Sequence, residues 1–106
     1  MNKTKIAAKP LSLKEIHEIL KAHKKDIHEK YKVKEMGVFG SYVRGDQKKR
    51  SDVDILVEFD VIPDLLKFIE MERYIQKLLR KKVDLVDKRG IRPQLKDRIL
   101  KEVVYM

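Results

Sequence analysis

Apolar residues recur along this chain with two periods, and the switches between them divide it into elements. After Ser12, apolar side chains fall at Ile16, Ile19, Leu20, Ile27 and Tyr31. That is the three-to-four spacing of an amphipathic helix. Ser12 with Glu15 three residues later forms a capping box, which sets the start, and the helix is predicted to run to about Lys30. Val33 to Gly40 reads as a first strand ending in the glycine. Ser41 to Arg44 has room for one helical turn, stopped by Gly45, and Asp46 to Arg50 is a charged loop. From Val53 to Phe59 the period falls to two. Val53, Ile55, Val57 and Phe59 alternate with Asp52, Asp54, Leu56 and Glu58, as in a strand with two unlike faces. Pro63 and Asp64 suit the start of a second long helix, with Leu65, Phe68, Ile69, Ile75, Leu78 and Leu79 as its apolar face. Lys82 to Asp87 is a short third strand, broken by Gly90. Pro93 fits the first turn of a last helix, and the stripe of Leu95, Ile99, Leu100, Val103 and Val104 carries that helix to the C-terminus.

The order helix, strand, turn, strand, helix, strand, helix predicts an α+β (α/β) domain, a small mixed β-sheet with helices packed on one face. It spans residues 12–106, behind a basic tail over residues 1–11. With 106 residues, one domain is expected. Met36, Phe39, Phe68 and Tyr74 read as core or near-core.

Charge changes the picture. Charged residues make up 41% of the chain and the formal net charge is +9, which favours an anionic partner such as a nucleotide, RNA or an acidic protein. With no cysteine there is neither a disulfide framework nor a thiolate metal site. The polar, basic start is no signal peptide, and no apolar run reaches the ~18 residues of a membrane span. The cytoplasm is the expected setting. His17, His23 and His28 share no helix face at metal-ligand spacing and are expected to be structural.

Candidate chemistry lies in one stretch: Gly40-Ser41-Tyr42-Val43-Arg44-Gly45, five polar residues, then Ser51-Asp52-Val53-Asp54-Ile55-Leu56-Val57. Residues two apart on a strand point the same way, so Asp52 and Asp54 project their carboxylates in parallel, ~7 Å apart at the backbone. Asp84 is the one acid placed centrally in another predicted strand, flanked by Val83 and Leu85, and is the expected third carboxylate. Such a cluster suits magnesium, which takes oxygen ligands and fills its shell with water and phosphates. Two ions bridged there can clamp a nucleoside triphosphate. Gly40 permits a close phosphate approach, the Ser41 hydroxyl adds a donor, and Arg44 offers a fork of N–H groups. Taken singly, an Asp-x-Asp is usually a solvated edge, a Gly-Ser a turn, and Lys48-Lys49-Arg50 a solvated loop. The ordered set at fixed spacing points to metal-dependent nucleotidyl transfer. Tyr42, inside the motif, is expected to pack.

These residues resemble the signature of the nucleotidyltransferase superfamily of the DNA polymerase beta type. Val83-Asp84-Leu85-Val86, the C-terminal run from Arg92-Pro93 to Tyr105 and the short length are similar to its minimal branch, the antitoxins found beside HEPN-domain toxins. The likeness runs from about Ser12 to Tyr105. It implies a protein that transfers AMP from ATP to a tyrosine of a HEPN toxin, a ribonuclease, and so silences it in a hetero-oligomer. By the motif, Gly40 and Ser41 bind the triphosphate, Asp52 and Asp54 hold Mg²⁺, Asp84 is the third carboxylate, and Arg44 matches a basic position. Larger members carry an extra helical domain for the acceptor or base; this chain has no room for one, so the acceptor site is expected to be shared with another protein. Three alternatives stay open. A binding module would neutralise the toxin without catalysis. A nucleic-acid binder would use the +9 charge, although no recognised RNA- or DNA-binding motif accompanies it. A small-molecule nucleotidyltransferase would normally need a second domain.

Overall fold

The computed structural model describes residues 11–106; most of the expected basic tail lies outside them. Ser12 caps helix α1 (Leu13–Ala22) as expected: its hydroxyl oxygen accepts from the Glu15 N–H, and the Glu15 carboxylate accepts from the Ser12 N–H. The predicted single helix is broken at His23, and α2 (Lys24–Tyr31) follows. The His23 ring nitrogen Nδ1 lies 2.9 Å from the Ile19 carbonyl oxygen. A side chain bonded to the carbonyl four residues back competes with the backbone ladder and bends the helix. The apolar stripe survives the bend: Ile16, Leu20, Ile27 and Tyr31 are all buried.

Strand β1 (Val33–Phe39) leads into the one-turn helix α3 (Ser41–Arg44). Strand β2 (Val53–Phe59) has the predicted bounds. Asp64 caps α4 (Leu65–Leu79), accepting from the Lys67 N–H at 2.8 Å. Strand β3 (Val83–Asp87), a 3₁₀ turn (Lys88–Gly90) and α5 (Pro93–Glu102) follow. The last helix stops short of the predicted end. Val104–Tyr105 instead forms a fourth strand, β4, antiparallel to β1 with Gly37 opposite Tyr105. Gly37 makes this possible, since a Cβ there would lie 2.8 Å from the Val104 carbonyl oxygen.

The sheet order is β3-β2-β1-β4, with β1 antiparallel to β2 and β2 parallel to β3. It is the expected mixed sheet, but the helices are not all on one face as predicted: α1, α2 and α4 pack on one side against Val38, Val53, Ile55, Val57, Val83 and Leu85, and α5 lies on the other. The alternate residues Phe39 and Leu56 point to the other face, where Ile99 of α5 covers them in a second, smaller cluster. Two predicted stripes shift. In α4 the buried positions are Met71, Ile75 and Leu79, while Leu65 is 72% exposed. In α5 only Ile99 is buried, and Leu95 faces outward. A stripe read from apolar residues alone misses which turn of a helix overhangs the sheet.

Candidate active site

The site is built at one end of the second face. The register sets Phe39 opposite Asp54 on β1 and β2, and Asp54 opposite Asp84 on β2 and β3. Asp52 lies two residues back from Asp54, on the same side. Three carboxylates therefore share a face, with Asp84 on an edge strand open to a second molecule. The parallel ladder begins where the Val53 N–H donates to the Lys82 carbonyl at 2.9 Å. Before it, Ser51 closes the charged loop: the Lys48 N–H donates to Ser51 Oγ at 2.8 Å, and the Ser51 N–H to the Lys48 carbonyl at 3.0 Å.

Gly40 makes the turn from β1 into α3 with φ 81° and ψ −152°, a conformation open in practice only to glycine. Asp54 presses against it, and a Cβ on Gly40 would lie 2.0 Å from Asp54 Oδ2. Glycine is thus required twice at this point, for the backbone turn and for room beside the carboxylate. Gly45, at φ 80°, ends α3 in the left-handed region as expected. Tyr42 is buried and donates from its hydroxyl to the Ser51 carbonyl, so this side chain of the motif is packing.

Asp54 is half-buried, and its carboxyl is pushed up to about 6, chiefly by burial, then by the neighbouring Asp84 and Asp52 charges; Arg44 opposes this and Glu102 adds to it. Like charges on Asp84 and Asp52 disfavour the ionised form of Asp54, adding to the effect of burial. Among the described residues no group of three or more His, Asp or Glu side chains is gathered closely enough to hold an ion. The all-carboxylate donor set nonetheless suits Mg²⁺, which keeps several waters and needs only one or two protein carboxylates.

One residue of the site is not marked by the sequence motifs. Glu102, the last residue of α5, accepts from the Gly40 N–H at 2.7 Å through Oε2 and from an Arg44 N–H at 2.9 Å through Oε1. Arg44 also donates to Asp46 at 3.3 Å. Phe39, Gly40, Arg44, Asp54, Arg98 and Glu102 line an open cleft of about 160 Å³. Nothing in helical spacing marks Glu102; its one signal is its place in the C-terminal run that carried part of the resemblance. The three histidines take no part, with His23 and His28 bonded to the carbonyls of Ile19 and Val33.

A mixed sheet with three acids on one face beside a glycine turn fits the nucleotidyl-transfer class of enzyme. The nucleotidyltransferase domain model matches residues 20–106, and the chain belongs to that family. It is 55% identical over 96 residues to the protein adenylyltransferase MntA of Thermococcus cleftensis, covering 91% of this chain and 97% of that one. A solved structure provisionally described as a minimal nucleotidyltransferase superposes with a TM-score of 0.76 at 29% identity, over 89% of this chain and 95% of the other. A toxin–antitoxin crystal structure with AMP-PNP gives a TM-score of 0.68 at 28% identity, over 85% of this chain and 70% of that one.

Proposed function

We propose that this chain is a protein adenylyltransferase that moves AMP from ATP to a tyrosine hydroxyl of a HEPN-domain toxin, and so acts as its antitoxin in the cytoplasm. The observation that carries the reading is the register that sets Asp54 beside Asp84, on the face shared with Asp52 and against Gly40. The relative named for this activity and the neighbour assembled as a toxin–antitoxin with AMP-PNP support the choice of ATP and of a protein acceptor. Among the described residues no helix is long and apolar enough to cross a membrane.

In this reading Asp52, Asp54 and Asp84 would hold Mg²⁺, two ions in all, which would neutralise triphosphate charge and lower the pKa of the acceptor hydroxyl. Gly40, Ser41 and Arg44 take the triphosphate, through backbone room, a hydroxyl and N–H donors that Glu102 and Asp46 leave free. The acceptor oxygen bonds to the α-phosphorus and pyrophosphate leaves. Asp84, exposed on the edge strand, receives the hydroxyl proton or completes the metal shell. The cleft is shallow, so the acceptor protein supplies the missing wall. Val61, Ile62, Leu65 and Leu66, beyond the other end of β2, are 60%, 65%, 72% and 79% exposed, apolar side chains of a kind that complexes cover.

The test is transfer of labelled AMP. The protein is incubated with ATP, Mg²⁺ and the product of the adjacent gene, and the partner's intact mass is measured. A gain of one or more AMP units, lost in Asp52→Asn and Asp54→Asn, is expected. A stable complex with no mass change would replace this reading with neutralisation by binding alone.

A further inference from the structure

The inference concerns Glu102 and rests on the reading that Gly40, Ser41 and Arg44 face the triphosphate. Its carboxylate is held from two sides. On one, Ile99 of α5 packs with Phe39 and Leu56. On the other, Val104 and Tyr105 pair with Val38 and Gly37 of β1. Between these anchors the Val103 N–H donates to the Ile99 carbonyl at 3.0 Å and closes the helix end. Little freedom is left for the residue in between. Glu102 is 13% exposed, whereas the Arg44 side chain is 39% exposed. The carboxylate thus lies on the inner side of the guanidinium, and the outer edge of Arg44 remains open to the cleft. Arg44 has five N–H donors, and its bonds to Glu102 and Asp46 engage two of its nitrogens.

We propose that Glu102 is a positioning residue for nucleotide binding, fixing the Gly40 amide and the Arg44 guanidinium through its two oxygens so that the free donors of Arg44 meet the triphosphate. An unanchored arginine on an exposed turn samples many rotamers, and ordering it would cost affinity. A charged acceptor shared between a backbone N–H and a guanidinium holds both in one geometry. The arrangement also ties the C-terminal segment to the nucleotide, because Glu102 lies two residues before Val104, which β4 pairs with β1.

The test uses the full chain and compares wild type, Glu102→Gln, Arg44→Ala and the double variant. Affinity for ATP with Mg²⁺ is read by calorimetry, and AMP transfer is read at saturating ATP. Glutamine puts an NH₂ in place of one of the two carboxylate oxygens, so in the same geometry either the Gly40 N–H or the Arg44 N–H faces a donor. Glu102→Gln is expected to weaken ATP binding about tenfold while the saturated rate stays within about threefold. In the Arg44→Ala background the same change is expected to add little, since residues acting through one another are non-additive. Thermal melts of each variant keep loss of fold separate, because unfolding lowers the active fraction without raising the dissociation constant of what remains. Unchanged affinity in folded Glu102→Gln overturns the proposal. Tighter binding also overturns it and makes Glu102 a competitor of the triphosphate. Full additivity with Arg44→Ala removes the action through Arg44. Failure of wild type to bind ATP or transfer AMP sinks the proposed function itself, an outcome distinct from failure of the variant alone.

Discussion

At the scale of a single residue, Asp54 ties the stability of the fold to the candidate site. In the fold its carboxyl is pushed up to about 6, against 3.8 for an unperturbed aspartate. Between those values the folded state holds more protons than the unfolded one, so metal-free stability falls as pH rises through that window. Asp54→Asn removes the penalty. Thermal melts in chelator are expected to show the variant a few degrees more stable than wild type at pH 8, with the gap closed by about pH 4, while on the proposed function the variant loses AMP transfer. An equal gap at both pH values would contradict the burial and like-charge origin of the shift. Gly40 gives the opposite case. Gly40→Ala places a methyl on Asp54 and strains a backbone that only glycine accepts, at a cost of about 1–3 kcal/mol. Since misplacing a reacting group by ~1 Å costs ~100-fold, AMP transfer is expected to fall at least that far. Wild-type activity in that variant would refute the close packing of turn and carboxylate.

Elements owe their ends to local chemistry and their faces to the sheet. Ser12 and Asp64 cap α1 and α4 with side-chain oxygens, and both starts follow from residue type. Asp64→Ala is expected to cost about 1 kcal/mol, seen as a lower midpoint in urea with an unchanged slope; a neutral result would mean that water satisfies the freed N–H groups equally well. The break at His23 is of another kind. No glycine or proline marks it, and at the break a His23 ring nitrogen lies 2.9 Å from the Ile19 carbonyl oxygen. The burial of Met71 in place of Leu65 depends on where α4 crosses the sheet, which periodicity does not encode.

For the whole molecule, the two faces of the sheet divide the work. One buries the main core under α1, α2 and α4; the other carries Asp52, Asp54 and Asp84 beside the small cluster of Phe39, Leu56 and Ile99. The C-terminal segment joins them through Gly37. Gly37→Ala would push against Val104 and Tyr105, and an overpacked site costs about 1–3 kcal/mol. The variant is expected to lose stability in urea and, with Glu102 displaced, to bind ATP more weakly; retention of both would show that β4 does not hold the carboxylate. The sequence by itself determined the period-two strand, the helix caps and the pairing of Asp52 with Asp54, because each rests on contacts within a few residues. It also marked Asp84 through its place in a third strand. Only the tertiary structure decided that Asp84 lies opposite Asp54, that Val104–Tyr105 leaves the helix for the sheet edge, and that Glu102 reaches across 62 residues to Gly40. Those depend on strand register and on the close approach allowed at Gly37, which arise when distant segments pack and leave no period in the chain.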